Sequence, residues 1–158
     1  AGAAVVSLGF DRQDVTHSLQ AAGMILPRVA GKRILAASFS SSKFPGRAPE
    51  GGLLVRVFLG GALNEAVTHQ PDDALIEIAL QELKEIAKVS GAVAFSQVVR
   101  WQNTMPQYHV GHLQKLDSIQ QRLAQLPGLV IAGNAYQGVG IPDCTRAGRK
   151  AAEQICCP

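Results

Sequence analysis

Long apolar runs are missing from this sequence: none approaches the ~20 residues that a membrane-spanning helix needs. The chain opens Ala1-Gly2-Ala3-Ala4 with no visible signal-peptide pattern and no initiator Met, and enters a strand-like segment at once. That opening is expected of a piece cut from a longer protein. Cysteine is scarce, three residues in all, and Cys144, Cys156 and Cys157 form no C-x-x-C pair. An odd count without metal spacing speaks for reduced thiols of cytoplasmic type and against a disulfide scaffold. Charge is thin: 17% charged residues and a net +3 make no nucleic-acid footprint. The densest basic cluster, Arg146, Arg149 and Lys150, reads as a solvated helix face. His109 and His112 stand three apart but lack a third ligand nearby, so no metal site is assigned. The Ser40-Ser41-Ser42 run has no G-x-S-x-G context and reads as a solvated loop.

What is present suits a globular chain: 47% of the residues are apolar, and 158 residues can bury one good core. The front half reads as strands at Ala3–Phe10, Gly23–Pro27, Arg33–Phe39 and Leu53–Leu59. In the last of these, Leu53, Val55, Val57 and Leu59 share one face while Leu54, Arg56 and Phe58 share the other. Residues 40–52, rich in Ser, Pro and Gly, read as a loop. A helix follows, with Pro71 at its first position, Asp72 and Asp73 at the positive end of its dipole, and a stripe of Ile76, Ala79, Leu80, Leu83, Ile86 and Ala87. Val98–Trp101 returns as a strand. A second helix carries Leu113, Leu116, Ile119, Leu123 and Leu126 on one face and stops at Pro127-Gly128.

The end of the chain reads as a strand, Leu129–Ala132, a turn, Gly133–Gly140, and a helix, Ile141–Ile155, with Cys144, Ala147, Gly148, Ala151 and Ile155 on its inner face. Gly138-Val139-Gly140 thus lies between a buried strand and a helix start. Free backbone N–H groups backed by the helix dipole favour an electron-rich ligand there. It is not a dinucleotide fingerprint: Asp143 takes the third glycine's place, and a ribose-binding acid ~20 residues on would fall at or beyond Pro158. No full G-x-G-x-x-G occurs anywhere in the chain.

The wording of residues 129–144, with Gly148 and Ala151-Ala152, resembles the C-terminal signature of protoporphyrinogen oxidases, within the flavin amine-oxidase superfamily. Three further blocks agree in order and spacing: residues 41–49 (Ser-Ser-Lys-Phe-Pro-Gly-Arg-Ala-Pro), Phe58-Leu59-Gly60-Gly61, and Trp101 with Pro106-Gln107-Tyr108 and Gly111-His112. The resemblance runs from about residue 5 to residue 155. It implies an FAD-dependent oxidoreductase of heme and porphyrin biosynthesis that converts protoporphyrinogen IX to protoporphyrin IX with molecular oxygen as acceptor. It also implies cofactor contacts at Trp101, Gly138, Val139, Gly140 and Ile141, without naming a catalytic base. The expected class is α+β: a mainly antiparallel sheet of substrate-domain type with two packed helices over residues 1–126, then a strand–turn–helix unit of an FAD-binding domain over 127–158.

The resemblance further implies that the family's N-terminal dinucleotide-binding region lies outside these residues, so the fragment alone is expected neither to retain FAD nor to be active. Its uncovered apolar face around residues 129–155 is expected to self-associate or stay poorly ordered. The parent is expected to be cytoplasmic, with peripheral membrane association left open. Two alternatives remain on the residues alone: another flavin amine-oxidase superfamily enzyme, or a non-catalytic binding and assembly module keeping the fold.

Overall fold

A computed structural model describes residues 1–89 and 91–156. The chain forms two compact units, Ala1–Met105 and Pro106–Pro158, whereas the sequence reading sets its boundary after residue 126.

The first unit is a five-stranded sheet in the order β2-β3-β4-β1-β5, every pair antiparallel. Its strands are β1 (Ala3–Asp11), β2 (Gly23–Ile25), β3 (Ile34–Phe39), β4 (Gly52–Gly60) and β5 (Val93–Trp101). The alternation read in β4 is realised: Leu53, Val55, Val57 and Leu59 are buried, while Arg56 is exposed and Leu54 and Phe58 are half-buried. β1 lies beside it with Ala4, Val6, Leu8 and Phe10 on the same side, and Ile34, Ala37 and Phe39 of β3 complete the sheet's contribution to the core. Each fully buried Leu or Val there contributes about 1.5–3 kcal/mol relative to exposure.

The other half of the core comes from helix α2 (Asp72–Ala87). Its buried stripe is Leu75, Ile78, Ala79, Leu83 and Ala87, rotated from the expected one, and Ile76, Leu80 and Ile86 pack at its edge. The buried side includes Glu82, whose carboxylate accepts from the Arg33 backbone amide at 3.2 Å and Arg33 Nε at 3.3 Å. A charged residue drawn inward by two donors is invisible to a hydrophobic pattern. Pro71 caps the helix one position earlier than expected, and Lys88 closes it in the left-handed conformation, φ 51°. Arg100 of β5 ties down the N-terminal end of the helix: it donates to Thr68 O at 2.9 Å and Gln70 O at 2.6 Å and pairs with Asp72 at 2.5 Å.

Three strand and loop expectations are corrected. β5 begins at Val93, not Val98, because its register runs the length of β1 with a shift at Gly9/Phe10. β2 stops at Ile25, two residues before Pro27. The loop after β3 opens with a single helical turn, α1 (Ser40–Lys43), closed by Phe44 N–H donating to Ser40 O at 3.0 Å.

The second unit holds α3 (His112–Leu123) and α4 (Ile141–Cys156). No strand forms at 129–132. A strand needs a neighbouring backbone to take its N–H and C=O groups, and the described residues of this unit contain none. Leu116, Ile119 and Leu123 are half-buried, but Leu113 and Leu126 are exposed. On α4, Cys144, Ala147 and Ala151 are half-buried, while Gly148 and Ile155 face solvent. Of the terminal cysteine pair, Cys157 lies outside the described residues.

Among the described residues every fully buried side chain therefore belongs to the first unit. Leu59→Ala is expected to cost about 2–5 kcal/mol in urea denaturation and Leu113→Ala less than about 0.5 kcal/mol. In hydrogen exchange of this 158-residue chain, amides of β1 and β4 should outlast those of residues 106–156. Equal protection would show that the second unit is stabilised by something other than its own packing.

Candidate functional site

The turn before α4 is held by one side chain. Tyr108 Oη donates to Asn134 O at 2.6 Å and accepts from the Gly138 amide at 2.8 Å, clasping both ends of the turn. Its ring stacks on His112 at 4.2 Å between centroids. His112 Nε2 lies 2.8 Å from Tyr136 O. A carbonyl can only accept, so that nitrogen carries the proton. This explains the spacing Tyr108, His112: both rings serve the turn.

Gly138 has φ 129°, and a methyl group there would come within 2.7 Å of Asp143 Cβ and Oδ2. Only glycine lets the turn approach the first turn of α4 this closely. Its amide is taken by Tyr108 and is not one of the free donors expected from the sequence. The amides of Val139, Gly140 and Ile141 meet no protein acceptor among the described residues. Gly140 O accepts the first helical bond, from Cys144 N at 3.0 Å, so these three amides sit at the positive end of a 16-residue helix. Val139 and Ile141 are 62% and 83% exposed, and Gly140 is half-buried.

Asp143 lies in the first helical turn and pairs with Arg146 at 2.9 Å. A carboxylate already at the helix start disfavours a phosphate there. A neutral accepting edge, such as a ring carbonyl or nitrogen, remains suited to the three amides. The donors present fit the carbonyl-bearing edge of an isoalloxazine. Trp101, the remaining candidate, is placed in the first unit at the end of β5, with its side chain half in solvent (52%).

A second feature, unmarked in the sequence reading, is an open cavity of about 660 Å³ on the sheet face opposite the core. It follows from cross-strand register. Phe58, Ala36 and Ile25 stand in one row across β4, β3 and β2, and Arg56, Ser38 and Gly23 in the next. The middle strand supplies only the small residues Ala36, Ala37 and Ser38, so the floor is low. Gly23 is required, because a Cβ there would run into the Ala37 carbonyl oxygen. Lys43, Phe44 and Arg47, from α1 and the loop after it, form one wall. The signal that could have found it is the small pair Ala36 and Ser38, alternating on the solvent face of a strand.

The cavity's charge is of one sign. Lys43, Arg47 and Arg56 line it and no Asp or Glu does. Lys43 and Arg47 lie over the Phe44 ring at 5.1 and 5.6 Å, and Arg56 over Phe58 at 5.5 Å. None of the three pairs with a carboxylate among the described residues.

Residues 1–156 match the family described as flavin containing amine oxidoreductase, and the chain belongs to that family. Among curated relatives it is similar to the coproporphyrinogen III oxidase of Bacillus subtilis (strain 168), 36% identical, covering 92% of this chain and 31% of the relative. It is also similar to the mitochondrial protoporphyrinogen oxidase of Nicotiana tabacum, 30% identical, over 96% of this chain and 31% of the relative. A solved structure from Exiguobacterium sp. 255-15, whose protoporphyrinogen oxidase name is itself provisional, superposes with a TM-score of 0.83 at 30% identity, over 98% of this chain and 34% of that one. The chain thus spans about a third of the length of the relatives it matches.

The clasp yields a direct prediction. Tyr108→Phe removes the phenolic hydroxyl and is expected to raise exchange of the Gly138 amide by about tenfold, the worth of one hydrogen bond. Hydrogen exchange followed by NMR reads this. An unchanged rate would mean that the hydroxyl does not hold the turn.

Proposed function

We propose that the complete protein is an FAD-dependent porphyrinogen oxidase of porphyrin biosynthesis, and that this chain contributes a flavin-facing helix start and a face of the substrate site. The observation that carries the flavin part is the set of open amides at Val139, Gly140 and Ile141 in a chain of this family. They would hold the carbonyl edge of the isoalloxazine, while Gly138 keeps the turn close enough to α4 to present them. Trp101 would offer its exposed ring as a further flavin contact. FAD, when bound, supplies the two-electron acceptor for each dehydrogenation.

The helix dipole behind residues 139–141 would stabilise negative charge at the edge that these amides hold. Asp143 is kept paired by Arg146, which limits its opposition to that charge. The porphyrinogen would be taken by the cavity of the first unit, whose low floor leaves room for a puckered tetrapyrrole and whose cations suit its carboxylates. The conversion removes six electrons and six protons from the macrocycle. With molecular oxygen as acceptor, three dioxygen molecules become three of hydrogen peroxide.

Coproporphyrinogen III is the substrate we favour. The support is similarity: 36% identity to an enzyme named for it, against 30% for one named for protoporphyrinogen. Protoporphyrinogen IX, the substrate implied by the sequence resemblance, is the second reading. No helix among the described residues is long and apolar enough to cross a membrane.

The full-length protein is expected to purify with FAD. Its flavin should bleach anaerobically on addition of porphyrinogen, and porphyrin fluorescence should appear when oxygen is admitted. A flavin that stays oxidised against both porphyrinogens would sink the proposal. The 158-residue chain alone is expected to bind no stoichiometric FAD in gel filtration; a yellow fraction at equimolar flavin would show that reading wrong.

A further inference from the structure

We propose that Arg56, with Lys43 and Arg47, chooses between porphyrinogens by reading how many carboxylates the macrocycle carries. The inference rests on the porphyrinogen reading of the cavity. The two candidate substrates share a macrocycle and differ at its rim. Coproporphyrinogen III carries four propionates, whereas protoporphyrinogen IX carries two propionates and two vinyl groups. A site selects the first by offering cations where the second has only vinyls.

Arg56 is the residue placed to do this. It stands on the outer face of β4, two residues from Phe58 and directly across from Ser38, so its guanidinium borders the low floor and not the core. It rests over the Phe58 ring at 5.5 Å and pairs with no carboxylate among the described residues. A guanidinium held on a ring face is weakly bound there and keeps its fork of N–H donors for a carboxylate. Lys43 and Arg47 approach from the α1 side, each over Phe44, and are equally unpaired. Three cations around one hollow without an acid exceed what a pair of propionates needs. They match a rim carrying more of them.

Apolar ring and cation then have separate duties. Phe58, Phe44 and the small floor residues contact any tetrapyrrole alike, whereas the guanidinium gains only from a carboxylate. Loss of Arg56 should therefore act on discrimination, through binding, and leave the chemical step alone.

The test uses the full-length FAD-loaded enzyme and compares kcat/KM for coproporphyrinogen III and protoporphyrinogen IX in wild type, Arg56→Gln, Arg56→Lys and the exposed control Lys115→Gln, which lies outside the cavity lining. Arg56→Gln is expected to lower kcat/KM for coproporphyrinogen III by about tenfold, the worth of a hydrogen bond to a charged group, through KM. Protoporphyrinogen IX should change by less than about twofold, within the range of an exposed charge. Arg56→Lys should recover part of the preference, and Lys115→Gln should match wild type. An equal fall for both substrates, or no fall, overturns the selector role. If wild type oxidises neither porphyrinogen, the function reading fails separately. Fluorescence titration with the oxidised products, coproporphyrin III and protoporphyrin IX, then decides the inference: loss of coproporphyrin preference in Arg56→Gln supports it, and unchanged relative affinity overturns it.

Discussion

The strict alternation of β4 couples the two halves of the first unit. Leu53, Val55, Val57 and Leu59 must face α2 because they form the centre of the core. With side chains alternating at every residue, that same burial forces Leu54, Arg56 and Phe58 onto the opposite face. A slip of one residue would place Arg56 in the core and take one of the cavity's three cations away. Core stability and the outward presentation of Arg56 and Phe58 are therefore one constraint, and the pairings with β1 and β3 hold the register on both sides.

The second unit follows a different logic. It has no fully buried side chain among its described residues, and its order comes from local clasps: Tyr108 on the turn, His112 on Tyr136 O, and the first bonds of α4. Such contacts hold a turn's shape without building a core. Its half-buried face, Leu116 from α3 with Ala147 and Ala151 from α4, lines a hollow of about 240 Å³ with Ile131 and Ala132. Segment 129–132 is apolar enough to be a strand, yet lacks a neighbouring backbone within the described residues.

Membership of the flavin containing amine oxidoreductases ties these features to chemistry that neither carries alone. Fold likeness defines the scaffold, and the local groups narrow its use. Open amides at a helix start, already shared with the Asp143 carboxylate, suit a neutral accepting edge over a phosphate. A cation-lined hollow with a low floor suits a polycarboxylate. Neither requirement would be visible in a list of charged residues.

Much was legible in the residues themselves. The β4 alternation, the extents of β1 and α2 to within a few residues, and the helix start after Gly138-Val139-Gly140 follow from local periodicity and backbone chemistry. Sequence also marked the Gly138-Val139-Gly140 turn as a group, since strand-like, glycine-rich and helical segments follow one another there. Tertiary structure alone decided what depends on distant partners. It turned Glu82 inward, because Arg33 reaches it from the start of β3. It spent the Gly138 amide on Tyr108, thirty residues away, and left the donors of residues 139–141 open. It also gathered Arg56, Ser38 and Gly23 into one row, since cross-strand neighbours are set by register and not by proximity in the chain.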